Sequence, residues 1–102
     1  MPRISRHKDR CSTGHLCDTS APVNASQHTV FANGKAILKR GDKVGKHTIR
    51  KKVKDKSLCI NHRAKLTGGS FTVFVKGIGV GRKGDKADKG SMKGASDNVF
   101  AG

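Results

Sequence analysis

The chain has 102 residues, enough for one domain over 1–102, and carries 22 Lys and Arg against 7 Asp and Glu, a net charge of +15. Leu, Ile, Val and Phe number 4, 5, 8 and 4, together 21, a content at which highly charged chains tend to stay unfolded. So small a core offsets such self-repulsion poorly. A self-sufficient apolar globule is excluded, and a metal, disulfides or a partner must act as staple.

From the N-terminus, Met1 to Lys8 lacks the apolar run of a secretory signal, and no stretch is long enough to span a bilayer. The expected folding compartment is therefore a reducing cytosol, where Cys and His read as metal ligands rather than bridges. The three cysteines, Cys11, Cys17 and Cys59, are an odd number and form no full disulfide framework. Arg6-His7-Lys8-Asp9-Arg10 is a degenerate version of a turn that recurs later. Thr29-Val30-Phe31-Ala32-Asn33-Gly34 then opens a unit that ends in Lys39-Arg40-Gly41-Asp42-Lys43. The unit returns 43 residues on as Thr72-Val73-Phe74-Val75-Lys76-Gly77, closing with Arg82-Lys83-Gly84-Asp85-Lys86. A truncated third copy, Ala95 to Gly102, lies 26 residues after the second.

Each unit reads as a β-hairpin. Thr-Val-Phe is rich in branched and aromatic residues, with Val and Phe expected on opposite faces. Asn33-Gly34 suits a type I′ turn, and Lys35 to Lys39 returns. Gly41-Asp42 and Gly84-Asp85 mark turns into polar loops. No apolar repeat of helical period occurs. The basic run Lys46 to Lys56 reads as a solvated loop or as a surface drawn to phosphate. The fold expected is all-β, its copies related by an approximate threefold, because a linear stack of two copies and a stub would share little core.

The pattern Thr-Val-Phe-Ala-Asn-Gly-Lys-Ala followed by Arg-Gly-Asp-Lys and a His-bearing loop resembles the PAAR (proline-alanine-alanine-arginine) repeat family. Cys11-Ser12-Thr13-Gly14-His15 and the terminal Asn98-Val99-Phe100-Ala101-Gly102 resemble its phage-type members, so the likeness covers the whole chain. The eponymous tetrapeptide itself is replaced by Lys35 to Arg40 in one unit and Ile78 to Arg82 in the next. The resemblance implies a small squat cone of short β-hairpins with pseudo-threefold symmetry and a metal near the vertex. It implies a structural, non-enzymatic protein that caps and sharpens the central spike of a contractile injection machine, such as a phage tail, to pierce the bacterial envelope. The partner implied is a homotrimeric β-helical spike, one chain per trimer, and the location implied is the virion's spike tip after synthesis in the host cytoplasm.

By the same resemblance His15, His47 and His62 occupy ligand-bearing loops that a threefold would bring together. Zinc is the expected ion, with iron as the alternative. Relatives often carry a Cys in the last loop, where this chain reads Gly84 to Gly90. Cys59, three residues before His62, is the candidate fourth ligand; Cys17, Cys11 and a water are its alternatives. His28 at a strand entry reads as structural, and His7 has no assigned role. The rival reading is a basic zinc protein that binds nucleic acid. Against it, only four Phe supply aromatic surface and the cysteine spacing fits no zinc finger. No nucleophile elbow and no phosphate-binding glycine loop occurs, which argues against an enzyme.

Overall fold

The computed structural model describes residues 1–102, except for the side chain of Val53, and is all-β with no helix among the described residues. Ten strands follow in order: β1 (Arg10–Ser12), β2 (Ser20–Asn24), β3 (Phe31–Ala32), β4 (Lys35–Ala36), β5 (Lys43–Val53), β6 (Lys56–Lys65), β7 (Phe74–Val75), β8 (Ile78–Gly79), β9 (Lys86–Ala87) and β10 (Gly90–Ser91). Strands β1, β2, β5 and β6 form one antiparallel sheet in the order β1-β2-β5-β6. The remaining strands pair as three short hairpins, β3–β4, β7–β8 and β9–β10.

Turn chemistry explains the hairpins. Asn33 and Gly34 both have positive φ, at 54° and 76°, as a type I′ turn requires. Lys76 and Gly77 take nearly the same values, 53° and 76°, so the second unit keeps the turn with a less suitable first residue. Ahead of each Val-Phe strand one side chain holds the entry. Gln27 Oε1 accepts from the Val30 amide at 2.9 Å, Ser70 Oγ from Val73 at 2.9 Å, and Ser96 Oγ from Val99 at 3.1 Å.

The Asp turns are equally repetitive. Asp9, Asp42 and Asp85 each accept the amide of the residue three positions earlier, at 2.7, 2.8 and 2.8 Å. Lys8 at φ 72° replaces the glycines Gly41 and Gly84 of the other turns. The degenerate N-terminal turn and the truncated C-terminal copy are halves of a single unit. Val99 accepts from the Ile4 amide at 2.8 Å, as Val30 does from Ile37 at 3.0 Å and Val73 from Val80 at 3.1 Å. Between the units the backbone closes a ring: Leu38 N–H donates to Ser5 O, Gly81 N–H to Leu38 O, and Ser5 N–H to Gly81 O, at 3.1, 2.8 and 2.9 Å.

The apolar interior falls in two clusters. One joins Ile4, Ala32, Ile37, Val75, Val80 and Ala101, residues of the three Val-Phe units. The other runs from Ala36 and Leu38 through Val44, Leu66 and Met92 to Cys11. Val and Phe do not divide into an inner and an outer face: Val30, Phe31, Val73 and Phe74 are all exposed, and Ala32 and Val75 are buried instead. In β3 and β7 the alternation is Phe outward and Ala32 or Val75 inward, while Val30 and Val73 precede the strands and stay exposed.

The basic run Lys46 to Lys56 is not an irregular loop. Alternating His47, Ile49 and Lys51 pair with His62, Ile60 and Leu58 in a regular antiparallel ladder, turned by Lys54 and Asp55 at φ 47° and 63°. This hairpin stretches the molecule to 46 × 23 × 21 Å, twice as long as it is wide, in place of the squat outline expected.

Candidate metal centre

Each Asp turn is followed by a connection of different length, and the three connections meet. His15 comes from the β1–β2 loop, His47 and its cross-strand partner His62 from β5 and β6, and Asp88 from the β9–β10 turn. One ligand atom from each lies within 4.8 Å of the others. The sequence candidates His15, His47 and His62 are thus brought together, and Cys59 is not.

Two backbone features aim these side chains. Val44 pairs with Ala64 and His47 with His62, so β5 carries one extra residue across that interval. Such a bulge re-aims the strand: Val44 and His47, three apart, both point to the buried side. Gly14, at φ +75°, lets the His15 loop lie against the Asp88 turn, since a Cβ there would stand 2.7 Å from Lys89 O. The Lys89 amide donates to Thr13 O at 3.1 Å across the same contact. On the other flank, Asp18 Oδ2 accepts from the Thr48 amide and hydroxyl at 2.7 and 2.8 Å, holding the loop beside His47. Those bonds, the backbone one first, lower the Asp18 carboxyl below the usual carboxylate range.

All three imidazoles turn Nε2 toward one carboxylate. His47 reaches Asp88 Oδ2 at 2.8 Å, and His15 and His62 reach Oδ1 at 3.0 and 3.3 Å. Burial pushes the Asp88 carboxyl up, but the hydrogen bonds from His15, His47 and His62 together outweigh it and leave it below its ordinary value. Asp88 is therefore an anion, the form that binds a cation.

His47 decides the fit. Its Nδ1 stands 2.8 Å from the Gly45 carbonyl, which only accepts, so Nδ1 carries the proton. With Nδ1 so occupied, Nε2 faces the carboxylate, to which it donates when the ring is protonated and beside which it offers a lone pair to an ion when the ring is neutral. A backbone carbonyl behind the distal nitrogen is the usual support of a ligating histidine. A tetrahedral ion with bonds of roughly 2.0–2.1 Å holds its ligand atoms about 3.3 Å apart; the three His–Asp88 contacts span 2.8–3.3 Å, and one ligand atom from each residue falls within 4.8 Å of the others. The cluster can hold a metal ion.

Cys59 is excluded for a simple reason. It lies three residues before His62 in an extended strand, and an odd spacing sends the two side chains to opposite faces. It forms a disulfide with Cys17, so the expectation of unbridged cysteines is also corrected. Cys11 is free but fully buried in the larger apolar cluster; burial first, and then the charge of Asp88, raise its thiol pKa and leave it an inert core residue. His7 Nδ1 accepts from the Ala25 amide at 2.9 Å, and His28 packs edge-on against its ring, both away from the centre. Asp88 was the residue missed. It lies in the β9–β10 turn at a φ of 55°, a left-handed conformation that Asp adopts more readily than most residues.

Compared with known proteins, the chain matches no family model and no curated protein.

Proposed function

We propose that this chain is a PAAR-like structural tip, a cone with pseudo-threefold symmetry that caps the trimeric β-helical central spike of a contractile injection machine. The observation that carries the reading is the ring through Ser5, Leu38 and Gly81, in which three units donate and accept the same backbone bond in turn. Units so arranged match a true threefold partner at one chain per trimer. The base is the end bearing Phe31, Phe74 and Phe100, which are 55, 57 and 49% exposed beside Val30 and Val73. An open apolar surface of that kind marks a contact with another protein, and a β-helix end needs its strand edges covered.

At the vertex His15, His47, His62 and Asp88 hold one ion, which we take to be zinc because four protein ligands match its tetrahedral coordination. Four protein ligands fill a tetrahedral set, so the ion serves as a staple, and its binding energy adds to folding. The role is mechanical rather than catalytic: a rigid end that meets the outer envelope as part of a virion. Co-expression with a candidate trimeric spike tests this. The expected complex contains one chain and one zinc per trimer, and Phe31→Asp with Phe74→Asp abolishes it while zinc stays bound. A three-to-three complex, or none, would falsify the reading.

A further inference from the structure

The vertex is not the end of the molecule. From His47 to the turn at Lys54 the strand runs seven residues further, about 23 Å at roughly 3.3 Å per residue. Residues 43–65 contain nine Lys and Arg against Asp55 alone, +8 of the chain's +15. No cation of this segment is paired with a carboxylate among the described residues.

The hairpin has two unlike faces. Cross-strand pairing puts Ile49, Ile60, Lys51 and Leu58 on one, and Arg50 and Lys52, with Ser57 and Cys59, on the other. Leu58 is 47% exposed although nothing at the folded end needs it there. Aliphatic side chains bordered by long cationic ones suit the boundary between lipid head groups and acyl chains, where Lys and Arg keep their charges among phosphates. Nucleic acid would call for stacking surfaces, and none of the four Phe lies in this segment.

We infer that the distal β5–β6 hairpin is a docking surface for an anionic lipid bilayer, with Lys51, Lys52, Lys54 and Lys56 meeting head-group phosphates and Leu58 entering the interface. This deepens the spike-tip reading by naming what the far end touches. Its test uses the metal-loaded chain alone, so failure here leaves spike binding intact, and the reverse.

Flotation with phosphatidylcholine vesicles, with and without phosphatidylglycerol, is the experiment. Binding is expected only to the anionic vesicles and should fall steeply with salt. At about fivefold per cation, K51Q/K52Q/K54Q/K56Q should weaken it by at least about 100-fold while the zinc content is unchanged. Leu58→Ser should cost roughly tenfold on its own. Equal binding to neutral vesicles, or full binding by the quadruple variant, overturns the proposal. So does duplex DNA bound as tightly as the anionic vesicles. If the quadruple variant loses its fold, the wild-type dependence on lipid charge and salt decides alone.

Discussion

The two poles of the molecule are made by opposite strategies. At the Phe-bearing pole three units repeat one another bond for bond, down to the Asp turn and the Gln or Ser that holds each strand entry. At the ligand pole the three connections are all antiparallel hairpins, but their lengths do not repeat: β1–β2 closes through a loop, β5–β6 has strands of 11 and 10 residues, and β9–β10 is a tight turn. The frame gives equivalent starting points, and departures in connection length carry the chemistry. A site built this way needs no symmetry among its own ligands, which is why three histidines and one aspartate can share it.

The contrast can be broken most severely at the ligand pole. His47→Ala, or chelation of the native protein, should abolish ion binding and lower the melting temperature by many degrees, because the binding energy of a structural metal adds to folding. Amide exchange should rise in β5 and β6 and much less around Ser5, Leu38 and Gly81; uniform exchange would mean that the poles are not separable. The frame gives the next largest effect. Asp42 is 1% exposed, accepts from the Lys39 amide and from Ser26 Oγ, and lies 3.6 Å from Lys39 Nζ. Asp42→Ala strands these donors and should cost about 3 kcal/mol in chemical denaturation, disturbing both poles together. The smallest effect sharpens the comparison. Because the Asp18 carboxyl is lowered in the fold, its grip on Thr48 is complete above the usual carboxylate pKa and is lost as pH falls through the depressed value. Protection of the Thr48 amide, its exchange measured against the intrinsic rate at each pH, should fall in acid in the native chain and already be low at neutral pH in Asp18→Ala.

What could be read in the letters follows the same division. The repeat and the Asn33-Gly34 turn were legible because each depends on local residue chemistry or on similarity between copies, whereas His15, His47 and His62 were singled out by the family resemblance. The joining of Val99 to Ile4 was not, since its halves lie at the two ends of the chain. The bulge at Gly45-Lys46 breaks the two-residue period that would send His47 away from Val44. Cys59 was misjudged by applying a spacing suited to a turn where the chain is extended. The hairpin from Lys43 to Lys65 hid behind its charge, although Ile49, Leu58 and Ile60 alternate as strand residues should.

The Cys17–Cys59 bond brackets the centre from behind, two residues past His15 and three before His62. Once formed, it keeps the imidazoles near one another whether or not an ion is present, at effective concentrations of about millimolar as for short tethers. An emptied centre would then refill quickly from free metal without refolding. Under reductant the same loss would let the His15 loop drift, and reloading would slow to the pace of finding that geometry again.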